Sequence, residues 1–302
     1  MGLAKCVDAM SAAQFIFIMS TLGRTDDLVR FFHGLAAQGD FRCRIFLSDQ
    51  NDDGRLQSII SEWSERLSIR VVRSTRGISK GRNAALTAAL AELALQEPSG
   101  ECIVAFPDDD CWYSKDVLSR VATFLEQRPE ASGITARSVN ELAVPSAASS
   151  PNMQIELTPR NLFQGSMAIS YCIFLRLEVV RTVGLFDETL GVGSGTPWGA
   201  GEESDYLLRA IRRGARLFYE PDIQIHHPDK APLSDPLRFL SYARGHGRVL
   251  RLHGYPWATL AKDVFVALGA FLVKSVAERH VMYPYLYRAW GYIMGYSARI
   301  SR

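Results

Sequence analysis

The stretch Ile103-Val104-Ala105-Phe106-Pro107-Asp108-Asp109-Asp110 decides how this chain is read. An apolar, partly β-branched run that stops at a proline has the pattern of a short buried strand. Three adjacent carboxylates at its end concentrate negative charge where a strand leaves the core. Such a cluster repels itself unless a cation sits in it, and a hard divalent ion with oxygen ligands is the natural occupant. A lone cap for the helix expected near Ser114 would need one carboxylate rather than three.

Working outward, strands and helices alternate. Phe15-Ile16-Phe17-Ile18-Met19 reads as a first strand ending in Ser20-Thr21, and Thr25-Asp26-Asp27 offers an N-cap for a helix over Leu28–Ala37. Arg44 to Asp49 is expected as a second strand, Leu56 to Leu67 as a helix and Ile69 to Val72 as a third strand. The Ala- and Leu-rich segment Asn83 to Gln96 has high helix propensity. The acidic strand follows, then a helix near Ser114 to Gln127. Residues 140 to 160 read as a surface loop or lid, with sheet-like patterning resuming at Met167-Ala168-Ile169. A last strand, Arg216 to Tyr219, leads into Ile223-Gln224-Ile225-His226-His227. This order predicts an α/β fold with a doubly wound, mostly parallel sheet and ligands at the strand ends.

The chain has 302 residues, 47% hydrophobic and 22% charged, enough for a large core with an ordinary soluble surface. Its formal charge of +2 hides an asymmetry: from Arg238 onward there are ten Lys/Arg against Asp263 and Glu278 alone. No zinc spacing or RNA-binding signature accompanies that basic segment, so no nucleic-acid partner is expected. Five scattered cysteines (Cys6, Cys43, Cys102, Cys111, Cys172) form no CxxC pair. That argues against a zinc site or a disulfide framework and for a reducing, cytoplasmic setting. The start, Met1-Gly2 with Lys5 and Cys6, carries neither a signal-peptide nor a myristoylation pattern.

A second acidic motif, Gly201-Glu202-Glu203-Ser204-Asp205, lies about ninety residues after the first. Two carboxylates side by side suit general-base chemistry, in which one accepts a proton from an attacking hydroxyl. All three acids would also complement the dipole of a helix starting there. The preceding loop, Gly191 to Gly201, holds five glycines in eleven positions, so its backbone can approach a ligand closely. It matches neither a P-loop nor the Rossmann spacing. Trp198 within it either stacks on a ligand or tucks into the core. Arg76, Lys80 and Arg82 place cations at the start of a helix, where they oppose its dipole and make better sense beside an anionic ligand.

The order of these motifs resembles family 2 inverting glycosyltransferases of the GT-A fold. Ser48-Asp49-Gln50-Asn51 is similar to the family's strand-end Asp that contacts the nucleobase, and Ser20 closes the strand before it. Gly77-Ile78-Ser79-Lys80-Gly81-Arg82-Asn83-Ala84 resembles the family's Gly-Leu-Ser-x-x-Arg-Asn-Ala segment beside the nucleotide. Asp108-Asp109-Asp110 matches its DxD metal motif. Gly201-Glu202-Glu203-x-Asp205 is similar to its Gly-Glu-Asp-x-Asp segment, with Glu203 where the family usually has Asp. The likeness covers residues 13 to 230. It implies a GT-A catalytic domain over 13–230 and a helical extension over 231–302.

The resemblance further implies a nucleotide diphosphate sugar as donor, a glycan or lipid-linked acceptor in surface polysaccharide synthesis, and Mn2+ or Mg2+ as cofactor. Ser20, Asp49, Arg76, Lys80, Arg82, Asn83, Asp108 and Asp109 would bind the donor. Asp110, with Asp108 and one of His226 and His227, would hold the metal. Glu203 would be the base, with Glu202 an alternative because the longer Glu side chain shifts the carboxylate. Trp198 and Asp205 would serve the acceptor.

The run Val264 to Val273 is uncharged but too short to cross a bilayer, which needs about twenty residues. With Tyr283, Tyr285, Tyr287, Trp290 and nearby Arg279, Arg288, Arg299 and Arg302, it predicts helices that lie on the inner face of the plasma membrane or pack on protein. Two rivals remain at this level. A nucleotidyltransferase would want a Gly-rich phosphate loop after the first strand, where Ser20-Thr21-Leu22-Gly23-Arg24 has one glycine. A non-catalytic scaffold of polysaccharide assembly would have no need of both acidic motifs intact.

Overall fold

The computed structural model describes residues 13–96, 98, 100–147, 149–229, 235–277 and 283–299. The expectations resting on Met1, Gly2, Lys5, Cys6, Glu278, Arg279 and Arg302 lie outside the described residues. Contacts group the described chain into two compact units. One takes the chain through Arg76, Gly81–Leu185 and Tyr206–Asp229; the other takes Gly77–Lys80, Phe186–Asp205 and the described residues after Lys230.

The elements run β1 (Gln14–Thr21), α1 (Asp26–Ala36), β2 (Arg42–Asp49), α2 (Gln57–Trp63), β3 (Ser68–Arg73), α3 (Ile78–Leu95), β4 (Cys102–Ala105), β5 (Trp112–Tyr113), α4 (Val117–Gln127), β6 (Gly133–Val139), β7 (Ile155–Leu157), β8 (Ile173–Arg176), α5 (Leu177–Val183), α6 (Glu202–Arg212) and β9 (Leu217–His226). Three helices follow: α7 (Pro236–Leu252), α8 (Trp257–Ala277) and α9 (Tyr283–Ser297).

The nine strands of the described residues lie in the first unit and form one mixed sheet, ordered β3-β2-β1-β4-β8-β6-β9-β5, with β7 also on β9. The pairings of β1 with β2 and β4, of β2 with β3 and of β6 with β9 are parallel; β8, β5 and β7 run against their neighbours. Six of the nine strands therefore point the same way. Register aligns Thr21 with Asp49 and Asp49 with Arg73, so β1, β2 and β3 end together at the carboxyl edge. Phe15, Phe17 and Met19 alternate into one core with Phe31, Phe32 and Leu35 of α1 and Val121 and Leu125 of α4. Ile16 and Ile18, on the opposite face, are equally inaccessible. A strand buried on both sides reads as a continuous apolar run, as this one does.

Several elements differ from their expectation for local physical reasons. Helix α3 starts at Ile78, five residues before the expected Asn83 and directly after Gly77 at φ 132°, so Ser79, Lys80 and Arg82 lie within its first turns. Helix α2 stops at Trp63, because Arg66 and Leu67 turn back onto the Trp63 carbonyl to enter β3. Met167-Ala168-Ile169 forms no strand: a 3-10 turn over Ser170–Cys172 intervenes and the strand is Ile173–Arg176. The 140–160 stretch is mostly irregular but contributes β7. The two pieces expected at the end of the sheet are one strand, β9. Pro221 cannot donate to the ladder, and the register jumps from Ala136–Glu220 to Arg137–Gln224 around it. At α1, Thr25 is the N-cap residue, but its hydroxyl bonds Asp26 Oδ1 at 3.4 Å rather than the backbone.

In the second unit, α7 and α9 pack through glycines. A Cβ on Gly295 would lie 2.0 Å from the Arg244 carbonyl oxygen, and one on Gly247 2.3 Å from that of Tyr292. Only a bare Cα allows backbones that close. Among the described residues, no helix is long and apolar enough to cross a membrane.

Candidate active site

In the first unit, Asp108, Asp110 and His227 offer ligand atoms that all lie within 4.8 Å of one another. The acidic pair comes from the turn after β4, and the histidine follows β9. His227 Nε2 stands 3.2 Å from Asp110 Oδ1. The other ring nitrogen, Nδ1, lies 2.7 Å from the Pro228 carbonyl. A carbonyl only accepts, so Nδ1 carries the proton and Nε2 is turned toward the carboxylates, as ligation requires. The Tyr171 ring stacks on the imidazole at 4.7 Å, holding its plane.

Arg82, fully buried in α3, donates Nη2–H to Asp108 Oδ1 at 2.7 Å, and Ser170 Oγ reaches the same oxygen at 3.3 Å. From the loop after β1, Arg24 brackets the other two acids: Nη1 lies 2.5 Å from Asp109 Oδ1 and Nη2 2.9 Å from Asp110 Oδ2. Burial pushes the Asp109 carboxyl above its ordinary 3.8, and Arg24 only partly opposes this. Burial would raise Asp110 too, but His227 and Arg24 outweigh it and hold Asp110 below 3.8. Burial disfavours the charged form of His227, yet the Asp110 carboxylate more than compensates, leaving the imidazole above its usual 6.5.

The donor set suits a divalent ion. With the imidazole neutral and protonated on Nδ1, no donor among the described residues meets the buried Asp110 Oδ1, and such an atom is costly unless a cation meets it. Two carboxylates and an imidazole match Mn2+, and Mg2+ when water completes the shell.

At the end of β2, Asp49 is buried, accepting from the Asn51 backbone N–H at 2.9 Å and side-chain amide at 2.8 Å, with Arg73 Nη1 at 3.0 Å. Asn51 in turn accepts from the Gly23 N–H at 2.7 Å, linking the β1 and β2 loops. Ser20 is buried where α3 crosses the end of β1: a Cβ on Gly81 would fall 2.5 Å from the Ser20 Cβ. Asn83 is buried in α3, and Arg76 is exposed beyond β3.

In the second unit, Lys80 is half-buried in the first turn of α3, where Ser79 Oγ donates to the Leu190 carbonyl at 2.8 Å. The Gly-rich loop is pinned there by the Ile78 N–H on Val192 O and the Gly191 N–H on Trp198 O, both 2.9 Å. Gly191, at φ 96°, leaves room for the Glu202 carboxylate: a Cβ would sit 2.9 Å from Glu202 Oε2. Glu202 is buried beneath this loop and Glu203 is half-buried. Asp205 Oδ1 pairs with His253 Nε2 at 2.8 Å, both residues buried. The Arg248 guanidinium lies 5.3 Å over the half-buried Trp198 ring.

The structure thus gathers Asp108, Asp110 and His227 and sets Asp109 beside them. It does not bring His226 to that group. The side chain after each β9 position alternates in direction, so His226 stacks on Trp112 at 5.2 Å and bonds the Asn140 carbonyl at 3.1 Å. Asp205 is engaged by His253 rather than opened to solvent. Arg24, Ser170 and His253 were not singled out from sequence. Arg24 sits in a loop without a distinctive pattern, and the other two meet their partners only through long-range folding.

The family model for glycosyl transferase family 2 matches residues 16–184, more than half of the chain. The chain belongs to glycosyl transferase family 2. This glycosyltransferase also resembles solved structures over most of its length. TarS 1–349 of S. aureus, solved with UDP-GlcNAc, is 15% identical at a TM-score of 0.58, covering 92% of this chain and 89% of that one. The mannosyltransferase PcManGT of Pyrobaculum calidifontis, solved with GDP-Man and Mn2+, is 16% identical at a TM-score of 0.59, covering 92% and 86%. A longer TarS structure matches at 18% identity and 0.58, but the family 2 chain spans only 44% of it. At such identities the likeness shows the shared GT-A fold. No curated protein matches the chain.

Proposed function

We propose that this glycosyltransferase is a metal-dependent, inverting enzyme that moves a sugar from a nucleotide diphosphate sugar to a glycan or lipid-linked acceptor in surface polysaccharide synthesis. The observation that carries the reading is the Asp108–Asp110–His227 cluster, with a buried Asp110 oxygen lacking a donor and an imidazole whose Nε2 is turned inward. Asp110, Asp108 and His227 would hold Mn2+ or Mg2+, which supplies positive charge against the diphosphate as it leaves. The structures solved with GDP-Man and Mn2+ and with UDP-GlcNAc support a donor of that class.

The chain's own residues then take distinct tasks. Arg82 fixes Asp108 through a charged hydrogen bond, so that carboxylate is set before any ligand arrives. Asp49 and Asn83 read the nucleoside, with Ser20 closing the pocket floor at the end of β1. Arg76 and Lys80 add positive charge for the diphosphate. Glu203 takes the acceptor hydroxyl proton as that oxygen attacks the anomeric carbon in a single displacement. Glu202, roofed by Gly191, instead orders the loop. Trp198 offers a face on which an acceptor sugar stacks, and Asp205 holds the first turn of α6.

Thermal stabilisation by UDP, GDP and dTDP, each with and without Mn2+, tests this reading. One nucleotide that stabilises only with metal, and not in Asp110→Ala, is the expected result. No response to any nucleotide would overturn it in favour of a non-catalytic scaffold.

A further inference from the structure

We propose that the outward faces of α8 and α9 form a docking surface for an anionic lipid bilayer. Trp257, Phe265, Val266, Leu272 and Val273 of α8 are each 63–72% exposed. Together with Lys262 and Gly269 they recur at helical spacing along one side of the helix. A helix on a globular protein places charged and polar residues on that side. Here the inner side, with Leu260 and Ala267 buried, is apolar as well. Helix α9 repeats the pattern: Tyr283, Tyr287, Trp290 and Ile293, spaced four, three and three apart, are exposed, while Ala289, Tyr292 and Gly295 face inward.

Isolated apolar side chains on a surface are ordinary, but two continuous stripes mark a face that meets something less polar than water. Its chemistry points to lipid. Trp and Tyr carry an apolar body and a polar tip, which suits the headgroup boundary. Lys262 stands exposed on the α8 stripe itself, and Arg288 flanks the α9 stripe, exposed but donating its Nε–H to the Tyr292 hydroxyl at 2.6 Å. The one carboxylate described on α8 and α9, Asp263, is engaged by His246 Nε2 at 2.8 Å, so little negative charge opposes an anionic surface. Over their described residues neither helix is long and apolar enough to cross a bilayer, and apolar stripes flanked by cations lie in its interface instead. The docking rests on this surface alone; its use, bringing the enzyme to a lipid-linked acceptor, rests on the function proposed above.

Cosedimentation of the full chain with vesicles of phosphatidylcholine alone, or with 30% phosphatidylglycerol, tests the proposal. The expected result is binding to the anionic vesicles about tenfold or more tighter than to the neutral ones, weakened by 0.5 M NaCl. Phe265→Ser/Leu272→Ser and Lys262→Glu should each lower that binding, the first about tenfold and the second severalfold, while keeping the wild-type melting temperature and nucleotide response. Failure of the wild type to bind anionic vesicles would overturn it. So would a concentration-dependent dimer in light scattering that the Phe265→Ser/Leu272→Ser variant abolishes, which would assign the face to a second copy. Vesicle binding without any nucleotide response would uphold the docking surface and overturn the donor-site reading instead.

Discussion

Arg24 and Asp110 form an ion pair at 2.9 Å, and the same guanidinium reaches Asp109 with its other nitrogen. In the absence of a metal the chain thus supplies its own counter-charge to the acidic turn. The Asp110 oxygen held by Arg24 is Oδ2; the one near His227 is Oδ1. Arg24 therefore neutralises the site without covering the atom aimed at the ligand cluster.

Arg24→Met should lower stability without metal by about 1 kcal/mol, a modest figure because the arginine is half exposed and screened. Mn2+ should then raise the melting temperature of the variant more than that of the wild type, since the ion replaces a charge the variant lacks. Thermal melts with EDTA and with Mn2+ measure both effects. Equal metal shifts in the two proteins would remove Arg24 from this role.

The Asp110–His227 pair makes metal-free stability depend on pH. His227 is raised above 6.5, so its contribution is full below that value and fades as pH climbs through the raised pKa. Asp110 is depressed below 3.8, so its contribution is present above that value and fades as pH falls through the lowered pKa. The pair is worth most between about pH 4 and 6.5. In EDTA, the wild type should exceed His227→Gln in melting temperature at pH 5.5, and the gap should narrow by pH 8.5. A gap that widens toward high pH would contradict the assignment.

The buried contact between Asp205 and His253 ties the first turn of α6, which carries Glu202 and Glu203, to the residue after α7. Replacing His253 by Ala removes a donor from a buried carboxylate, a loss of about 2–4 kcal/mol. His253→Gln can still donate and should recover much of the stability. If the pair also positions the carboxylates ahead of it, kcat should fall in His253→Ala with donor KM little changed. Denaturant melts and steady-state kinetics on both variants separate the two roles.

Gly295→Ala probes the crossing of α7 and α9. The added methyl would meet the Arg244 carbonyl at 2.0 Å, so the helices must part. Overpacking of this kind costs about 1–3 kcal/mol, and the alanine's better helix propensity offsets only about 1 of it. A melting temperature equal to the wild type would show that the crossing tolerates separation.

The sheet was legible where residues repeat a local pattern. The run Phe15 to Met19 alternates between two buried faces, and its apolar content alone announces a strand. The acidic turn was equally plain, because three charges after an apolar run have few structural uses. What sequence hid depends on distance along the chain. Choosing His227 over His226 requires knowing which way β9 points at its end, a fact set by pairing with β6 across the irregularity at Pro221. Arg24 lies 85 residues from Asp109 and His253 lies 48 from Asp205, so neither pair has a local signature. The end of α2 at Trp63 was missed because helix propensity persists through Glu65, while the chain must already turn to enter β3.

Glu202 and Glu203 are adjacent, and a one-residue step on a helix rotates a side chain by about 100°, so they cannot share a role. Glu202 is roofed by Gly191 and buried; Glu203 keeps more exposure. A base must reach an incoming hydroxyl, which favours Glu203. Glu203→Gln should lower kcat by about 10²–10⁴ while leaving metal-dependent nucleotide stabilisation intact. Glu202→Gln, which keeps shape under the loop, should lower kcat far less and lower the melting temperature instead. If Glu202→Gln abolishes turnover and Glu203→Gln does not, the longer side chain at 203 has handed the proton transfer to its neighbour, and the loop over Gly191 must open for the acceptor to arrive.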